Sequence, residues 1–135
     1  RLRIAQDLDL ANERFQARSE VLEFGSVPLL LTSALVESGY NVTGCDIAPE
    51  RYEEAIGRLG IEVVKCDIEK TRLPFKNDAF DAILFNELFE HLRINPIFTL
   101  SEVLRVLRPG GVMLMSSPNL RSLRGIANFL LKNRA

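Results

Sequence analysis

Gly25 and Asp46 are the pair whose types and spacing carry the clearest chemistry. Gly25 closes the apolar run Val21-Leu22-Glu23-Phe24, a helical stretch follows, and Asp46 comes 21 positions after the glycine. A glycine at such a turn lets the backbone approach a ligand closely. An acid about 20 residues further on can accept both hydroxyls of a ribose. Each hydrogen bond to a charged acceptor contributes roughly 1.5–3 kcal/mol. The plainer use of Asp46 is as N-cap of a helix beginning at Pro49. The two further glycines usual in a nucleoside-binding turn are replaced by Val27 and Leu29.

Other polar side chains fall at the ends of expected strands: Glu23, Asp67, Asn86 with Glu87, and Ser116 with Ser117. In an open α/β sheet, ligands bind beyond the carboxyl ends of the strands, where strand order reverses. Together with Asp46 these residues are expected along one edge. Asp67 is placed to accept from an exocyclic adenine amine, or to form an Asx-turn. His91 is the single histidine. A neutral imidazole suits removal of a hydroxyl proton.

The elements that must position these residues alternate between strand and helix, which predicts a Rossmann-like α/β domain with a mostly parallel sheet and helices on both faces. Strands are expected over residues 20–25, 41–46, 61–66, 80–86 and 112–116. Helices are expected over 3–18, 29–38, 49–59, 96–107 and 122–132. Pro28 is expected in a first helical turn, and Pro109-Gly110-Gly111 is expected to break the 96–107 helix. Ile4, Leu8, Leu10 and Phe15 are the expected inward face of the first helix. Leu120, Leu123, Ile126 and Leu130, beside Arg121, Arg124, Lys132 and Arg134, mark an amphipathic last helix expected to pack on the sheet.

Composition narrows the classes. At 135 residues, 47% hydrophobic and 26% charged, the chain suits one globular domain. A net charge of −1 supplies no basic field for nucleic acid or an anionic membrane. No apolar run reaches the roughly 18 residues of a membrane-spanning helix. Cys45 and Cys66 lack metal-site spacing and read as reduced, buried thiols of a cytoplasmic protein.

The segments Val21–Gly25, Gly44-Cys45-Asp46, Cys66-Asp67, Leu73-Pro74-Phe75 through Phe80-Asp81, Asn86-Glu87-Leu88-Phe89-Glu90-His91-Leu92 and Arg105-Val106-Leu107-Arg108-Pro109-Gly110-Gly111 run in order over about residues 20–119. In that order and spacing the chain resembles a class I S-adenosylmethionine-dependent methyltransferase of the small-molecule type. The resemblance implies S-adenosyl-L-methionine as cofactor and methyl transfer to a small-molecule acceptor. It puts Glu23 and Gly25 near the methionine moiety, Asp46 on the ribose, Asp67 on the adenine side and Asn86 close to the cofactor. The expected cofactor set is Glu23, Gly25, Ser26, Asp46, Ile47, Asp67, Ile68 and Asn86; the expected catalytic pair is His91, as base, with Glu87 second.

Two departures from the family pattern shape the expectations. Side chains at Val27 and Leu29 would crowd the methionine carboxylate, which motivates an alternative reading as an inactive binding or scaffold domain. The resemblance also implies a C-terminal antiparallel hairpin beyond the fifth strand, so an incomplete domain is expected. Glu87-Leu88-Phe89-Glu90-His91 resembles the ExxEH element that binds a divalent ion in small-RNA terminal methyltransferases. That element needs a further histidine downstream, so no metal is assigned. Asn86-Glu87-Leu88-Phe89 lacks the Pro-Pro-aromatic pattern of enzymes that methylate amino groups of nucleic acids, so no nucleic-acid partner is expected.

Overall fold

A computed structural model gives the structure of residues 2–86 and 88–116. Five strands form a single parallel sheet: β1 (Glu20–Phe24), β2 (Asn41–Asp46), β3 (Glu62–Lys65), β4 (Phe80–Asn86) and β5 (Leu107–Ser116). Their order is β3-β2-β1-β4-β5. The chain moves outward from β1 to β3, then crosses back to β4 on β1's other side. That reversal opens a crevice at the carboxyl end of β1, the position favoured for ligands in this topology.

The strands are apolar on both faces because both faces are covered. In β4, Ala82 and Leu84 join Val21, Val42 and the helices α1 (Leu2–Arg14) and α2 (Leu30–Glu37) through Ala11, Leu31 and Leu35. Ile83 and Phe85 turn the other way, onto Leu22, Phe24, Cys45 and, from α4 (Pro96–Val106), Val103 and Val106. Phe24 and Phe85 meet edge-on with centroids 5.4 Å apart. The other α-helix among the described residues, α3 (Glu53–Leu59), contributes no buried residue.

Several boundaries differ from the sequence reading, for local reasons. Helix α1 stops at Arg14, and Leu10 is exposed while Ala11 takes the inward place. Phe15 remains buried just past the helix end. Pro28 lies outside α2: the Val27–Pro28 peptide is cis, and Leu29 caps the helix in the left-handed region at φ 71°. The 49–59 helix is a 3-10 turn (Pro49–Tyr52) followed by α3. Strand β5 begins at Leu107, directly after α4. Its pairing jumps from Phe80↔Leu107 to Ala82↔Val112, so residues 108–111 bulge out of the ladder. Gly111 is required there, because a Cβ would lie 2.8 Å from the Asp81 carbonyl oxygen. The 122–132 helix falls outside the described residues.

The loop of residues 66–79, which carries the chain across the sheet, is held by one guanidinium. Arg105 donates to the carbonyls of Leu73 (3.0 Å) and Phe75 (2.8 Å) and to Asn77 (2.9 Å). It also meets both oxygens of Glu102, at 3.1 and 2.9 Å. This ion pair holds the Glu102 carboxyl below the usual range against its burial, and the Leu73 amide adds a third bond. Arg105→Met would leave the buried Glu102 carboxylate only the Leu73 amide and the more distant Arg72, and would take this donor from two carbonyls, at a cost of about 3 kcal/mol. Denaturant unfolding checks this; a loss below about 1 kcal/mol would contradict it.

Candidate functional site

Side chains from four strands and α1 converge at the carboxyl edge of the sheet. Glu23 is 6% exposed and accepts a 2.5 Å hydrogen bond from the Thr32 hydroxyl of α2. Burial pushes its carboxyl up to about 7; the Thr32 bond opposes this and the charge of Asp7 adds to it. Asp7 is itself raised by burial, opposed by Arg3. The Asn86 amide donates to Asp7 at 3.3 Å and its carbonyl accepts from Ser116 at 3.0 Å. Asn86 is therefore fixed from both sides.

Between β1 and α2 the loop folds against the end of β2. The amide of Gly25 donates to the Cys45 carbonyl (2.8 Å), that of Val27 to Asp46 Oδ2 (3.3 Å) and that of Leu29 to the Ser26 carbonyl (2.7 Å). Leu29 is 2% exposed, so its side chain enters the core. That removes half of the crowding expected from the altered loop. Ser26 Oγ is buried without a hydrogen-bond partner among the described residues. It packs where β2 has Gly44; a Cβ at that glycine would lie 2.5 Å away.

Two clefts open from Gly25. The first, about 230 Å³, is lined by Gly25, Asp46, Ile47, Asp67, Ile68, Leu88 and His91. The second, about 240 Å³, is lined by Asp7, Glu23, Gly25, Ser26, Val27 and Asn86. Gly25 has φ 64°. A Cβ there would meet the Leu88 side chain at 3.5 Å, in ordinary contact. All eight expected cofactor residues therefore lie in one cleft or the other. His91 is exposed and borders the first cleft, apart from Glu23 and Asn86. Glu87 lies outside the described residues. Cys45 and Cys66 are free and buried beside the first cleft, and burial pushes the Cys45 thiol far up, away from reactivity.

The aspartates take local partners. Asp46 Oδ1 accepts from the Ala48 amide at 3.0 Å, and no side chain caps the turn at Pro49. Asp67 makes the Asx-turn, accepting from Glu69 N at 3.2 Å. Glu69 in turn accepts from the amides of Arg93 (2.5 Å) and Ile94 (2.9 Å), tying the His91 loop to the first cleft. Neither Glu69 nor Asp7 stands out in the sequence. Asp7 meets Asn86 across 79 positions, and only its place on an amphipathic α1 turn hints at it.

The residues fit an adenosyl cofactor at both ends. A carboxylate offers about four acceptor positions, so Asp46 retains room for sugar hydroxyls. Ile47, Ile68 and Leu88 offer apolar faces on which a flat base could lie, and Glu23 faces the second cleft with a carboxyl that a nearby ammonium would ionise. The sequence profile of the methyltransferase-domain family matches residues 22–115.

The chain belongs to the class I S-adenosylmethionine-dependent methyltransferase family.

Relatives of this methyltransferase domain include a ubiquinone biosynthesis O-methyltransferase of Xylella fastidiosa, 32% identical over 84% of this chain and 46% of the relative. A ubiquinone/menaquinone biosynthesis C-methyltransferase of Desulfotalea psychrophila is 38% identical over 58% of this chain and 33% of the relative. The chain thus spans less than half of either relative's length. Among solved structures, the PH0226 protein of Pyrococcus horikoshii is 26% identical with a TM-score of 0.77, covering 90% of this chain and 59% of that one. No described helix of the methyltransferase domain is long and apolar enough to cross a membrane.

Glu23 gives the domain a pH signature. Its folded carboxyl titrates at about 7, above its ordinary 4.5. The folded state therefore holds the proton more tightly, and the associated stability is complete below about pH 4.5 and lost as pH rises through 7. Thermal melts of the ligand-free protein should fall between pH 5 and 8 by more than those of Glu23→Gln. Parallel profiles would show that Glu23 is not the buried acid.

Proposed function

We propose that the domain binds S-adenosyl-L-methionine across the two clefts and transfers its methyl group to a small-molecule acceptor. The observation that supports this most is the sharing of Gly25 by a cleft carrying Asp46 and Asp67 and a cleft carrying Glu23 and Asn86. The division suits a ligand with a nucleoside at one end and a charged tail at the other. When bound, the cofactor supplies a methyl group made electrophilic by its sulfonium. Asp46 accepts the ribose hydroxyls, Asp67 the adenine amine, and Ile47, Ile68 and Leu88 keep water from the base. Glu23 balances the tail ammonium, and its proton leaves as that cation arrives. Catalysis is then mainly alignment of acceptor and donor.

For an acceptor that loses a proton, His91 is the proposed base, with Glu87 second. The loop of His91 is strapped by Glu69 next to the cofactor cleft, which supports this role. The two relatives are named for ubiquinone or menaquinone biosynthesis, one as an O- and one as a C-methyltransferase, and the proposal extends to quinone-precursor acceptors of that kind.

Titration calorimetry with S-adenosylhomocysteine tests the reading. The wild-type chain is expected to bind, and Asp46→Ala to weaken binding at least tenfold. His91→Asn should lower turnover at least tenfold while changing affinity less than Asp46→Ala does. No heat of binding with the wild-type protein would favour the scaffold alternative. Unchanged affinity in Asp46→Ala would remove Asp46 from the site.

A further inference from the structure

We propose that Asp46 is a positioning residue for the β1–α2 loop as well as a sugar acceptor, so that recognition of the cofactor's ribose and of its amino-acid tail are energetically coupled through one carboxylate. This rests on the cofactor reading above and goes beyond it.

The amides of the β1–α2 loop go to two kinds of acceptor. Gly25 and Leu29 spend theirs on backbone carbonyls. Val27 alone donates to a side chain, Asp46 Oδ2 at 3.3 Å. The same carboxylate holds Ala48 N at 3.0 Å through Oδ1. It therefore joins two loops that leave adjacent strands. Asp46 lines the first cleft and Val27 the second. The Val27 bond is thus the direct polar link from the sugar position to the wall of the tail cleft.

Packing limits how the loop can move if that link changes. Ser26 lies against Gly44, where even a Cβ would come within 2.5 Å of Ser26 Oγ. The loop has no slack towards β2, and Asp46 sits two residues further along the same strand. Leu29, buried at φ 71°, anchors the loop's other end. Held at both ends, the middle of the loop takes its position from the carboxylate. A ribose that orients the carboxylate therefore sets Val27, and a tail that seats against Val27 sets the carboxylate. Such coupling is reciprocal by thermodynamic necessity.

The test compares S-adenosylhomocysteine with 5′-methylthioadenosine, which has the adenine and ribose but no amino-acid tail. Asp46→Asn keeps the shape and accepts through one oxygen. It should lower S-adenosylhomocysteine affinity at least fivefold more than methylthioadenosine affinity. It should also speed hydrogen exchange of the Val27 amide in the ligand-free protein at least tenfold. Gly44→Ala displaces Ser26 and the loop that Asp46 holds, so it should weaken S-adenosylhomocysteine at least fivefold and also weaken methylthioadenosine, which meets no tail wall, at least threefold; this variant carries the test if the first fails to fold. Equal losses for both ligands in Asp46→Asn, or unchanged methylthioadenosine affinity in Gly44→Ala, would overturn the coupling and leave the cofactor site intact. Binding of neither ligand to the wild-type protein would instead remove the cofactor reading, and the coupling with it.

Discussion

All five strands run the same way, and this constraint governs everything else. Parallel pairing puts five carboxyl ends at one edge, and the order β3-β2-β1-β4-β5 splits the sheet's connections on either side of β1. The connections leave β1 toward opposite sides, and the side chains at its end line two clefts that share Gly25. Glu23, Asp46, Asp67 and Asn86 are far apart in sequence, yet a single topological rule gathers them. The two apolar layers hold the edge rigid. Leu22, Ile83 and Leu84 are fully buried, so the strand ends have little freedom to shift.

The altered loop is accommodated in part by turning one of its two replacing side chains, Leu29, into the core. Leu29 adopts a left-handed conformation, uncommon outside glycine, and gains a buried place in the core in return. Val27 keeps its side chain at the second cleft but ties its amide to Asp46. Gly44, a strand residue, leaves the space that Ser26 occupies. Thus a glycine in β2 serves the loop after β1, where the usual glycines are missing. The family pattern Arg-Val-Leu-Arg-Pro-Gly-Gly has a structural explanation too. Arg105 clamps the crossover loop, Arg108 donates to Asp81 at 2.6 Å, and the glycines permit the β5 bulge.

Much of this was legible in the sequence because it depends on local periodicity and strand ends. The continuous apolar run of β4 was read with its bounds, and so was β2. The strand-end acids were placed on one edge by fold logic alone. What escaped were consequences of three-dimensional closeness. Asp7 reaches Asn86 from α1, and Glu69 straps the His91 loop; neither contact has a spacing signal. The start of α2 was misplaced because Leu29 adopts a conformation that its type does not favour. Leu107 was read as helix because the helical pattern runs into it, while pairing with Phe80 claims it for the sheet. His91 borders the first cleft on the 3-10 turn Phe89–His91, a position its sequence context alone does not define.

In the proposed complex, one crevice holds a nucleoside on one side of Gly25 and an amino-acid tail on the other. A crystal structure of the chain soaked with S-adenosylhomocysteine tests it most directly. Electron density for adenosine is expected between Asp46 and Asp67, with the ribose hydroxyls on the Asp46 carboxylate and the tail beside Glu23. Density for the ligand elsewhere, or a fully occupied site with the ribose off Asp46, would contradict it.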